Sequence, residues 1–199
     1  MGLLDTILGR SKPVRPDLDQ LFGLPAAAIT LQAGAGYAPT GVGSVCFASV
    51  EGGAFARIQD DVRQLLDAGA GRGGVPVEFS RDAYGYTWLL VRRPADDTAS
   101  LVNDLHAVNT LLQEGGFGPQ LLCSLVDFRE AAGDRALALV YLYKRGTFYP
   151  FAPIPGTSER RDNALELQIK SLLADDLRIE EDLGRWFPVW GAPGLGAPS

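Results

Sequence analysis

The side chains of this chain that could do chemistry are few and far apart. His106 is the sole histidine, and Cys46 and Cys123 are the sole cysteines. A serine or cysteine nucleophile would need that one imidazole within hydrogen-bond reach. On a helix His106 falls with Asn103, Thr110 and Gln113, off the stripe made by Leu101, Leu105 and Leu112. It reads as a solvated helix-face residue, with a polar contact to a loop or another subunit as the sharper alternative. The cysteines sit in apolar, strand-like runs and read as buried free thiols behaving as small hydrophobes. One histidine and two separated cysteines do not make a zinc site of soft ligands. Asp96-Asp97, Asp175-Asp176 and Glu180-Glu181-Asp182 lack the alternating oxygen ligands of a calcium loop. No residue is therefore assigned as catalytic, cofactor-binding or metal-ligating, and no cofactor is expected.

Glycine-rich runs offer phosphate chemistry only in the right setting. Gly69-Ala70-Gly71-Arg72-Gly73-Gly74 follows a helical pattern and precedes a strand-like one. A dinucleotide loop must instead follow a strand and open a helix, so that backbone amides face the pyrophosphate, and a P-loop needs its lysine. The run reads as a loop.

Charge and aromatic residues point to binding rather than catalysis. Arg92-Arg93 and Lys144-Arg145 each end the second strand of an expected hairpin, and hairpins lying alike in one sheet would project both pairs from one edge. Such an edge suits an anionic partner, phosphate or lipid headgroup; the bland alternative is strand ends paired with nearby carboxylates. Beside them lie Phe148, Tyr149 and Phe151 in a proline-restrained ribbon, then Trp186, Phe187 and Trp190 near the C-terminus. The C-terminal aromatics either dock on their own domain, covering an open sheet face, or anchor a partner chain. The candidate partner-binding residues are Arg92, Arg93, Lys144, Arg145, Phe148, Tyr149, Phe151, Trp186 and Trp190. A net charge of −6 argues against nucleic acid, whose phosphates require a basic surface.

The elements that must position these residues follow from periodicity. Asp17 can cap a short helix bearing Leu18, Leu21 and Phe22, closed by Gly23 and Pro25. Ile29–Ala33 and Val42–Val50 read as strands across a turn-rich 34–43, and Ala54–Ala68 as a helix. Strands at Val77–Ser80 and Tyr84–Arg93, a helix at Thr98–Glu114, strands at Gln120–Phe128 and Arg135–Lys144, and a helix near Asn163–Asp175 complete the pattern. Connections within each strand pair are too short for a parallel crossover, which forces antiparallel pairing. The expected class is α+β: one antiparallel or mixed sheet built from three hairpins alternating with helices packed on one face.

The chain has 199 residues, near half of them apolar, and a single domain is expected over 17–191. Before it, 1–16 reads as an amphipathic segment, with Leu3, Leu4, Ile7 and Leu8 on one helical face, and a linker; after it, 192–199 reads as a flexible tail. No apolar run approaches the roughly 18 residues that span a bilayer, and no signal peptide is apparent, so the expected location is cytoplasmic.

Five long segments carry a family resemblance: VEFSRDAYGYTWLLVR (Val77–Arg92), GFGPQLLCSL (Gly116–Leu125), LALVYLYKRGTFYPFAP (Leu137–Pro153), ERRDNALELQ (Glu159–Gln168) and RWFPVWGAPGL (Arg185–Leu195), with MGLLDTILGRSKP at the start. They resemble the actinobacterial PspA-associated protein family, PspAB. The resemblance implies association with PspA, the membrane-remodelling phage-shock protein, and a link with the membrane zinc protease HtpX. It brings no catalytic residues. The leading expectation is a non-enzymatic cytoplasmic accessory of an envelope-stress system, acting through protein contacts or at the inner, anionic membrane surface. The alternative, from another class, is a small-ligand-binding or enzymatic domain with a pocket between the sheet and Trp186–Trp190.

Overall fold

A computed structural model describes residues 16–48, 52–69 and 77–195. The expected amphipathic segment within 1–15, the glycine run from 70 onward and the last four residues lie outside these. Helix α1 (Leu24–Ala35) grows directly out of a 3-10 turn at Leu18–Gly23 and ends on Gly36 in the left-handed conformation. Strand β1 (Tyr37–Ala48) follows, then helix α2 (Gly53–Gly69), the hairpin β2 (Glu78–Arg81) and β3 (Tyr86–Arg92), and helix α3 (Thr98–Leu112). Strands β4 (Leu121–Glu130), β5 (Ala136–Leu142) and β6 (Thr147–Phe151) form a meander, and helix α4 (Asn163–Leu172) closes the order. Side chains cap two of the helices: Asp97 accepts from the Ser100 amide and Asp162 from the Leu165 amide, each at 3.0 Å.

The six strands form one open sheet in the order β2-β3-β1-β4-β5-β6, every neighbouring pair antiparallel. The α+β class and the antiparallel sheet match the expectation from sequence. The first of the three expected hairpins does not form, because Ile29–Ala33 lies inside α1. Ile-Thr-Leu-Gln-Ala alternates like a strand over five residues, yet Leu24, Ala27, Ala28 and Leu31 share a helical face buried in the core. Pro25, expected to close a helix, stands in the first turn of one, where its missing N–H costs nothing.

Strand β1 is instead a single central strand, irregular near Gly41. At that point φ is +77°, and a Cβ would overlap the Arg93 carbonyl, which only glycine tolerates.

Strict alternation along β5 sorts the interior into two layers. Leu137, Leu139 and Tyr141 point to the core shared with all four helices, while Ala138 and Val140 point to the opposite face. That opposite face carries a smaller cluster in which Trp186, Val189 and Ala192 of the C-terminal segment cover the sheet. The residues expected to be a proline ribbon are strand β6, at the sheet edge, where Pro150 is tolerated. Its outer side is not left open: the Phe148 amide donates to the Arg178 carbonyl and the Glu180 amide to the Phe148 carbonyl.

Candidate functional site

On the face away from the helices, the register aligns Trp88, Cys46, Cys123 and Leu142 in one row across β3, β1, β4 and β5. This row is the floor of a cavity of about 570 Å³. Two cysteines separated by 77 positions in the chain are therefore direct cross-strand partners. Both are buried and free. A hydrogen bond to Cys123, then burial, pushes the Cys46 thiol far above its ordinary range, so Cys46 is a soft apolar group rather than a nucleophile.

One wall comes from the turn between β2 and β3. Asp82 Oδ1 accepts the Tyr84 and Tyr86 amides at 2.9 Å each, and its Oδ2 accepts Trp88 Nε1–H at 2.8 Å. These bonds pin the turn and occupy the carboxylate. The opposite wall is the segment Arg185–Trp190, held down from several directions. Trp186 stacks on Tyr149 at 5.9 Å and donates from Nε1 to the Glu180 carbonyl at 3.0 Å. Tyr149 Oη–H donates to the Phe187 carbonyl at 2.7 Å, and Arg161 Nη1 to the Trp186 carbonyl at 2.6 Å. Trp190 meets Phe151 edge to face at 4.8 Å. Arg161 is itself fixed by Glu166 at 2.8 Å and lies 5.1 Å from the centre of the Phe151 ring.

The candidate partner-binding residues divide sharply by environment. Phe148, Tyr149, Phe151 and Trp186 are core groups whose aromatic area is already buried. Phe187, by contrast, is 58% exposed at the cavity mouth, beside the exposed Tyr84 and Tyr86. The expectation that both basic pairs share one end of the sheet fails, because β3 and β5 run in opposite directions. Arg92 lies opposite Val42, whereas Leu142, leading into Lys144, lines up with Trp88 at the other end of the β1 pairing.

Most of these cations are also committed. Arg93 forms a two-point pair with Asp104 at 2.5 and 3.0 Å, and Arg92 a looser one with Glu78 at 3.5 Å. Arg145 Nε reaches Glu180 at 2.5 Å. Burial of Glu180 works against its charge, but donors from Arg145, Thr147 and the Asp182 amide outweigh it and hold the carboxyl below its ordinary range. Lys144 differs: it is exposed at the mouth and makes no hydrogen bond or ion pair with the described residues.

His106 sits on the helical side of the sheet, remote from this cavity. Its ring stacks on Phe22 at 4.8 Å, with Nε2 3.5 Å from Asp19. The contact is thus made within the chain, to the 3-10 turn at Leu18–Gly23 rather than to a loop.

Sequence reading missed Asp82, Tyr84, Tyr86 and Trp88 as a wall. The Asp-x-Tyr-Gly-Tyr turn was visible, but which strand lies beside β3 was not. It also missed Asp127 on β4, a carboxyl buried under Gly194, both of whose oxygens lack a hydrogen-bond donor. Burial pushes this acid well above its ordinary range, against a weaker pull from Arg129 and Arg92.

An open antiparallel sheet, with helices on one face and a C-terminal segment walling a cavity on the other, defines an α+β domain. The chain belongs to the family described as PspA associated protein B, whose model matches residues 1–194. No curated protein and no solved structure gives a match. No described helix is long and apolar enough to cross a membrane.

Proposed function

We propose that the chain is a non-catalytic, cytoplasmic accessory of a PspA-based membrane-stress system, working by contact with a protein partner at the inner face of the membrane. Family membership supports the association with PspA. The observation that carries the mode of action is the cavity rim, where Lys144, without a partner among the described residues, stands with exposed Tyr84, Tyr86 and Phe187. Exposed aromatics beside a charge available for pairing are the composition of a protein interface. The Cys46 thiol is held far above its ordinary range and the Asp82 carboxylate is occupied by the Tyr84 and Tyr86 amides and the Trp88 indole, which favours binding over acid–base work.

The test is a titration of the purified chain against a PspA-type protein, with the double variant Lys144→Glu/Phe187→Ser. Arg145 is left intact, because its loss would strand the buried Glu180. Saturable binding by the parent, weakened at least about tenfold in a variant with an unaltered melting curve, is the expected result. An equal affinity for parent and variant, or none for either, would reject this surface. An HtpX-type protease and anionic vesicles serve as parallel arms, and binding to either in place of the PspA-type protein would replace the partner.

A second reading, a small-ligand-binding domain, is favoured by the cavity itself, which lies where the sheet meets Arg185–Trp190.

A further inference from the structure

We infer that the cavity over the Trp88–Cys46–Cys123–Leu142 row is a binding site for a single-chain fatty carboxylate, its hydrocarbon body on the sheet and its head at Lys144. The inference rests on the ligand-binding reading and uses the same Lys144 that the proposed partner contact uses, so its test is run without any protein partner.

The polar groups at and beside the cavity floor are already engaged. Trp88 Nε1–H is used on Asp82, both Asp82 oxygens are occupied, and the Tyr149 hydroxyl is used on the Phe187 carbonyl. Cys46 and Cys123, both free thiols, hydrogen-bond to each other. A ligand that required hydrogen bonds at this depth would find no partner among these groups and would lose its own hydration, so the buried part must be apolar. Leu122 and Leu142 complete the floor with aliphatic surface.

The mouth is different. Of the three cations there, Arg145 is paired with Glu180 and Arg185 with Asp182 at 3.2 Å. Lys144 alone has no counter-charge among the described residues. One available cation at the edge of an apolar cavity selects a molecule with one anionic end. A volume of about 570 Å³ falls within the range of small-molecule sites, and fits one chain better than the two of a phospholipid.

The experiment uses the full chain, stripped of carried-over lipid on a hydrophobic resin. It is titrated by calorimetry and by tryptophan fluorescence with octanoate, decanoate and dodecanoate, then with dodecanol and dodecyl-ammonium. One-to-one binding is expected, tightening about fourfold per added methylene until the cavity is filled. Dodecanoate should exceed dodecanol by at least about tenfold. In Lys144→Ala that preference should vanish while dodecanol affinity stays, and Leu122→Trp, which fills the floor, should weaken every chain without shifting the melting curve. Equal affinity for the acid and the alcohol, or an unchanged preference in Lys144→Ala, would overturn the head-group assignment. Absence of binding by any chain would overturn the ligand-binding reading as well. Stoichiometric binding of a lysophospholipid but not of dodecanoate would overturn the carboxylate.

Discussion

Lys144 and Arg145 are neighbours in the chain and both are exposed, yet the structure gives them different work. Arg145 neutralises Glu180, whose carboxylate is buried beneath β6 and also accepts from Thr147 at 2.7 Å. Lys144 has no such task among the described residues. Adjacent basic residues in a sequence therefore cannot be treated as one patch. Asp127 makes the complementary point for an acid. Its pKa is raised in the folded state, so its contribution to stability is fully present below the unfolded carboxylate range and is lost as pH rises through the folded value. Asp127→Asn should accordingly raise the melting temperature, and by more at pH 8 than at pH 4. An equal gain at both pH values, or a loss that grows with pH, would show that the carboxyl is not held neutral by burial.

At the scale of elements, the C-terminal segment acts as a second layer on the sheet. Trp186 is 7% exposed, stacked on Tyr149 and hydrogen-bonded to Glu180, whereas its neighbour Phe187 projects outward. Trp186→Ala should destabilise by about 3 kcal/mol. Phe187→Ala should stay within about 0.5 kcal/mol. Chemical denaturation of the two variants distinguishes them, and equal losses would mean that the segment is held by its backbone alone.

Helices α2, α3 and α4 were legible because their apolar residues recur at helical spacing over nine or more positions, which a strand cannot imitate. Ile29–Ala33 was misread because five residues are too few to separate the two periods; Ile29 itself, 73% exposed, contributes nothing to the core. Thr147–Phe151 was passed over as a strand because of Pro150, a residue that only an edge position accommodates. A sequence does not say which strand is the edge.

For the whole molecule, strand order decides which distant residues meet, and that order was not written in any local pattern. It separates Arg92 from Lys144, although both end hairpin strands. It unites Cys46 with Cys123, and brings Tyr86, Lys144 and Phe187, from three remote parts of the chain, to one cavity mouth. Docking of the C-terminal aromatics on an open sheet face is one of the two arrangements their apolar area suggests; Trp186 follows it and Phe187 does not. The cavity they leave depended on details of register.

The central claim is that this mouth, rather than the helical face, is the working surface. Amide hydrogen exchange of the chain, alone and with a saturating PspA-type protein, tests it most directly. Slowed exchange should concentrate in peptides covering 82–88, 142–149 and 185–191, with little change in α1 and α4. Slowing confined to α1 and α4, with the cavity mouth unaffected, would contradict it.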